Sequence, residues 1–172
     1  GKILGMGRAM KSGLGCHAVQ VGGLKVGALV AVNCLGDVVD PLSGAKLAGV
    51  LTEDLRALAD TEEIMISSYA EQKNLFSGNT TIGVVATNAA LTKAQATKLA
   101  SMAHDGYART MRPAHSMVDG DTIFAMSTGS VAADLSVVGL LAARVMERAV
   151  VAAVTRAEKL CGLTCVADLE RL

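Results

Sequence analysis

The segment from Asp134 to Lys159 constrains the fold more than any other. Leu135, Val138, Leu141, Ala142, Val145, Met146, Ala149 and Ala153 recur at spacings of three and four, the mark of one apolar face on a long helix. The alanines on that face let the helix lie close against a sheet. Two apolar runs can supply the sheet. Leu24 to Asn33, "LKVGALVAVN", is nearly unbroken and rich in Val, which reads as a strand buried on both faces. Thr80 to Thr87 reads as a second buried strand. Aromatic residues make up only 2% of the chain and Trp is absent, although 51% of residues are apolar. The core must therefore be assembled from Ala, Val, Leu, Ile and Met, which again suits closely approaching layers.

A second helix is expected from Thr92 to Met111. Thr92 can cap it, Ala94, Leu99, Met102 and Ala103 share one face, and Arg112-Pro113 stops it. A third strand follows a loop, at about Thr122 to Ser127, and Ser127 to Ser130 reads as a turn into the long helix. The order strand, strand, helix, strand, long helix predicts a single α/β (α+β) domain over residues 1–172, with helices covering strands. Other stretches carry weaker signals. Seven glycines, at positions 1, 5, 7, 13, 15, 22 and 23, make residues 1–23 read as turns and short strand pieces. Gly36, Asp37, Asp40 and Pro41 supply turn chemistry. Thr52 is a candidate cap for a short helix and loop reaching Glu71, and Asn74 to Asn79 is turn-like. The final "CGLTCVADLERL" reads as a surface tail.

Sixteen basic and sixteen acidic residues cancel, which argues against nucleic acid or an anionic membrane as partner. There is no signal-peptide pattern, and no charge-free apolar run reaches about 18 residues. Cys16, Cys34, Cys161 and Cys165 lack zinc or redox spacing, so the expectation is reduced, mostly buried thiols in a cytoplasmic protein. His17, His104 and His115 share no metal-ligand spacing. "GMGRAM" and "GLGCHA" lack the strand–loop–helix context of a dinucleotide site. The chain opens Gly1-Lys2-Ile3 without an initiator methionine, as if cut from something longer.

Two features remain. A Gly-Asn turn opens onto Thr80-Thr81 at the start of a strand, and Asp119 and Asp121 flank a glycine before another. Taken alone, Thr80 is a strand-start residue and the aspartates are a solvated turn. The functional alternative is a carboxylate pair that orients an ammonium or hydroxyl and shifts its pKa.

"GNTTIGVVATNAALTKAQATKLASMAHDGYARTMRPAHSMVDGDTIFAMSTG" resembles the region around the self-cleavage site of the DmpA-type (S58) self-processing peptidases. That group includes L-aminopeptidase/D-amidase-esterases, β-peptidyl aminopeptidases and the endo-type nylon-oligomer (6-aminohexanoate oligomer) hydrolases. "GKILGMGRAMKSGLGCHAVQVGGLKVGALVAVNCLGDVVDP" is similar to the segment before that site. The resemblance implies a four-layer αββα sandwich of the N-terminal-nucleophile-hydrolase type. It makes this chain the C-terminal part of a precursor about twice as long, whose N-terminal half supplies further strands and part of the substrate pocket.

It also implies a mechanism. The chain cuts itself between Asn79 and Thr80, residues 1–79 ending the larger subunit and 80–172 forming the smaller. The Thr80 hydroxyl is the nucleophile and its freed α-amine the base. Lys2 matches a lysine beside the nucleophile, Asn33 an asparagine that orients it or supports the oxyanion, and Asp119 and Asp121 a pair contacting the new amino terminus. Thr preceded by Asn, together with Asp-Gly-Asp, resembles the nylon-oligomer branch more than the aminopeptidases. The implied substrates are short peptides or amide oligomers, handled by a homo-oligomer without cofactors. Two alternatives stay open: an acetyl-transferring relative of the ornithine acetyltransferase type, and a non-catalytic protein that keeps the fold.

Overall fold

The computed structural model describes residues 1–71 and 78–169, so the expected turn at 74–77 lies outside the described residues. Strands β1 (Leu14–Val21), β2 (Leu24–Ala31), β5 (Ile82–Ala89) and β7 (Thr122–Val131) form a sheet in the order β1-β2-β5-β7. β1, β2 and β5 pair antiparallel, and β5 runs parallel to β7. Helix α2 (Lys93–Thr110) makes the β5-to-β7 crossover, as a parallel pair requires. A small antiparallel sheet joins β3 (Asp37–Val39), β4 (Lys46–Ala48) and β6 (Met111–Arg112). Helices α1 (Thr61–Ala70), α3 (Leu135–Thr155) and α4 (Val166–Leu169) complete the described elements.

α3 is the expected long helix. It starts on Asp134, whose carboxylate accepts from Ser136 and Val137 N–H, and it ends at Thr155. Val138, Ala142, Val145, Met146, Ala149 and Ala153 are all buried. Its small residues permit a close crossing over β1. A Cβ built on Gly15 would lie 2.0 Å from the Ala149 carbonyl oxygen. Gly106 of α2 meets α3 in the same way, 2.7 Å from the Ala143 carbonyl oxygen. α2 and α3 thus form one helical layer on one face of the sheet, with Val26, Val30 and Val85 of the strands beneath them.

Several expectations change. β1 is a full eight-residue strand rather than turns and strand pieces. Gly15 within it allows the close approach of α3, and Gly22, at φ 57°, lies in the two-residue turn to β2. β2 alternates buried and exposed positions and so is covered on one face only. Leu29, Ile82, Phe124 and Met126, all exposed, line the other face. The described residues therefore supply one helical layer and one sheet layer of a sandwich. Ser127 to Ser130 continues β7 instead of turning. α1 begins later than expected, capped by Asp60 rather than Thr52. Asp37 sits in β3, 1% exposed, and accepts from Thr61 N–H (2.9 Å), Thr61 Oγ1 (2.6 Å) and Val50 N–H (3.2 Å). Its carboxylate is a structural anchor, not a turn residue. Cys165 and Val166 of the tail are buried, while Cys16 and Cys161 are exposed. Among the described residues, no helix is long and apolar enough to cross a membrane.

Candidate active site

The chain enters β5 through Gly78, whose φ of 117° favours glycine, and Asn79, which bridges Asp119 in parallel. This brings the two expected features together at adjoining strand starts, Thr80-Thr81 on one and Asp119-Gly120-Asp121 on the other. Thr80 N–H donates to Asn33 O (3.0 Å), Gly120 N–H to Asn79 O (2.8 Å) and Thr122 N–H to Thr81 O (2.9 Å).

The neighbouring threonines have different surroundings. Thr80 is half-buried, and its Oγ1 donates to the Asn79 carbonyl oxygen at 2.5 Å. Thr81 is fully buried. Its Oγ1 accepts from Asn33 N–H (3.4 Å) and points to Met111 Sδ (3.8 Å). The first hydroxyl lies on the peptide bond before it. The second is a packed structural group.

Gly120 was not among the sequence-based candidates, yet its N–H is a donor on the Asn79 carbonyl. A Cβ at this position would lie 2.7 Å from Thr80 Oγ1, so a side chain here would displace the hydroxyl. The Asp-Gly-Asp spacing is the one signal in the sequence that could have drawn attention to it.

Each candidate side chain has a definite place. Lys2 Nζ donates to Asn33 Oδ1 (2.5 Å) and Gly78 O (3.4 Å), and burial lowers its pKa despite the opposing influence of Cys34 and Asp119. Asn33 accepts from Thr80 N–H through its carbonyl and donates its own N–H to Thr81 Oγ1, while its side-chain oxygen accepts from Lys2. Asp119 accepts from Ser116 Oγ (2.6 Å), Ser116 N–H (3.2 Å) and Leu35 N–H (3.2 Å), tying the β2–β3 loop to the turn before β7. Asp121 Oδ1 accepts from Thr81 N–H at 2.8 Å. Burial raises the Asp121 pKa, with Asp119 adding to the shift and the Thr81 hydrogen bond opposing it. The two carboxylates are thus half-buried and hydrogen-bonded, not the solvated pair of an ordinary turn.

The sequence of residues 5–166 matches the profile of Peptidase family S58. The chain belongs to that family. It is 38% identical over 183 residues to an uncharacterized aminopeptidase of Mycobacterium tuberculosis, covering 94% of this chain and 53% of the relative. It is 40% identical over 171 residues to a counterpart in Mycobacterium leprae, covering 90% and 47%. A 6-aminohexanoate-oligomer endohydrolase of a Kocuria species is 26% identical over 126 residues, covering 70% and 34%. The chain thus spans about half the length of the curated aminopeptidases it matches. The fold is similar to that of the L-aminopeptidase D-Ala-esterase/amidase of Ochrobactrum anthropi, a variant of the Ntn-hydrolase fold. The TM-score is 0.62 at 23% identity, over 95% of this chain and 47% of that one. A β-aminopeptidase of Burkholderia sp. gives a TM-score of 0.55 at 22% identity, over 95% and 50%.

Beyond the family motif, the fold assembles a group that spacing alone does not reveal. His104 Nδ1 lies 3.0 Å from His115 Nε2, and the His104 ring meets Tyr107 edge-on at 5.5 Å. Burial, aided by His115, lowers the His104 pKa. The Tyr107 hydroxyl is pushed above its ordinary pKa by burial and by Asp121. Among the described residues no cluster of three or more His, Cys, Asp or Glu could hold a metal ion.

Proposed function

We propose that this chain is part of a self-processing amide hydrolase cut between Asn79 and Thr80, with Thr80 as nucleophile. The observation that carries the reading is the Thr80 hydroxyl 2.5 Å from the Asn79 carbonyl oxygen, the same oxygen that Gly120 N–H engages at 2.8 Å. In the first step Thr80 Oγ1 attacks the Asn79 carbonyl carbon. Negative charge gathers on the carbonyl oxygen, where the Gly120 N–H stabilises it. The C–N bond then breaks, the Thr80 nitrogen keeps its electron pair and takes up a proton, and Asn79 is left as an ester on Thr80. Water hydrolyses that ester, giving an Asn79 carboxylate and restoring the Thr80 hydroxyl.

The freed Thr80 carries a hydroxyl and an α-amine on one residue. An amine with an ordinary pKa of about 7.7–8.0 accepts the hydroxyl proton near neutral pH. An external amide then follows the same course, with acyl transfer to Thr80 and release by water. Lys2 and Asn33 position the segment, and Asp121 holds its backbone at Thr81 N–H. Asp119 keeps the flanking turn in place. Burial lowers the pKa of Lys2, which favours its amine as a second proton acceptor beside the Thr80 segment.

Short peptides or amide oligomers are the proposed substrates, as the names of the relatives suggest. The rest of a family-length chain completes the pocket, and the enzyme works as a homo-oligomer without a cofactor. Four unbridged cysteines support the cytoplasm as its compartment.

The test is to give the processed full-length protein amino-acid p-nitroanilides and 6-aminohexanoate oligomers, and separately an N-acetyl amino acid with an acceptor amine. Consumption of the amides is expected. Consumption of the acetyl donor alone would reassign the site to acetyl transfer, and turnover of neither would leave a non-catalytic fold.

A further inference from the structure

The residue before Thr80 has a side chain that the proposed chemistry does not use. Asn79 is 2% exposed, and among the described residues neither its Nδ2 nor its Oδ1 has a hydrogen-bond partner. Both atoms are shielded from water within this one chain. A subunit or segment docking from outside could not reach them without opening the packing. The Asn79 backbone, by contrast, is fully engaged. Its N–H donates to Val118 O (3.4 Å), and its carbonyl accepts from Gly120 N–H (2.8 Å) and Thr80 Oγ1 (2.5 Å). The strand bridge with Asp119 therefore holds in place an amide that has lost its water and found nothing in return. A buried amide with no partner is destabilising, whereas an apolar side chain of similar shape would fill the same space without that cost.

We infer that the buried, unpartnered amide of Asn79 strains the uncut chain and so accelerates cleavage of the Asn79–Thr80 bond. The inference rests on the reading of Thr80 as the self-cleaving nucleophile. Exchange of an amide for an ester is the uphill stage of that sequence. As the Asn79 carbon moves from the Thr80 nitrogen to Thr80 Oγ1, the Thr80 N–H to Asn33 hydrogen bond and the strand-like hold on Asn79 both loosen. Ester hydrolysis consumes one water and makes Asn79 a chain end, free to withdraw its amide into solvent. Strain released along this path favours the ester over the amide and the two fragments over the intact chain.

The test uses Asn79→Leu in two forms of the full-length protein. With Thr80 intact, loss of precursor after translation or refolding is followed by denaturing mass spectrometry. The variant should process about ten-fold more slowly than the wild type, or slower still. In a Thr80→Ala background, which holds the chain uncut, the same substitution should raise the melting temperature by about 2–4 °C. An amide with a merely structural role would move the melting temperature the other way. Asn79→Ala, which cannot overpack the site, should process more slowly in the same way. Processing of both variants at the wild-type rate or faster would overturn the inference, as would a lowered melting temperature for the uncut Leu variant. A wild-type protein that never cleaves would overturn the processing reading and this inference with it. The melting experiment would still report whether the amide is strained.

Discussion

The seam where α3 crosses β1 and the corner around Asn79 are built from the same kinds of small residue to opposite ends. At the seam, Gly15 lets the helix backbone come so near that even a Cβ would meet Ala149 and Ala153 backbone atoms, and Val145, Ala149 and Ala153 are buried around it. What meets there is helix backbone and small apolar side chains. At the corner, Gly120 gives similar room, but what fills it is the Thr80 hydroxyl. Among the described residues the buried side-chain polar atoms without a partner belong to Asn79, Tyr107 and Asp121, all residues of or next to this corner. A protein keeps such groups unpaired at a cost of about 1–3 kcal/mol each, and that concentration marks the corner as a place shaped for chemistry and not for stability.

The sharpest way to break the comparison is Gly120→Ala. It would push a methyl group against Thr80 Oγ1, and processing should fall about 10²-fold or more while the melting temperature changes little. Precursor decay by gel and a thermal melt check both halves. The mirror experiment is Gly15→Ala, which should cost about 1–3 kcal/mol or more in urea unfolding and leave the processing rate of the folded fraction nearly unchanged. If both glycine variants lose stability alike, the corner is ordinary packing.

Asp121 offers a finer distinction through pH. Burial raises its pKa from the ordinary 3.8, so folding favours the protonated form. The stability from that group is full below the ordinary value and is lost as pH climbs through the raised one. Asp121→Asn should flatten that decline in urea melts taken from pH 4 to 7, since an amide in its place does not titrate. An unchanged slope would mean that Asp121 is not the group responsible. The smallest effect is expected away from both regions. Thr92→Ala removes a capping box with Gln95 and should cost about 1 kcal/mol without touching processing.

How much of this was legible depended on how local the cause was. α2 and α3 could be read because their caps, Thr92 and Asp134, and their apolar spacings lie within the segment itself. β1 could not, because its glycines signal turns locally and only the passage of α3 shows why Gly15 is a strand residue. Asp37 has the same history, since a turn-forming residue type became a buried anchor through Thr61 in a distant helix. In the site, the resemblance singled out Thr80, Lys2, Asn33, Asp119 and Asp121, and the fold gathers all of them around the start of β5. The different surroundings of Thr80 and Thr81, the Gly120 donor and the unpaired Asn79 amide depend on how β5 and β7 start side by side. No spacing along the chain encodes that.

The central claim, that Thr80 is a nucleophile uncovered by self-cleavage, is tested most directly by denaturing intact-mass spectrometry of the full-length protein with N-terminal sequencing. The account predicts two fragments, the smaller beginning Thr-Thr-Ile-Gly, and a single uncut chain for Thr80→Ala. A fragment beginning Thr-Ile-Gly would move the nucleophile to Thr81, and a wild-type protein that stays in one piece would contradict the account.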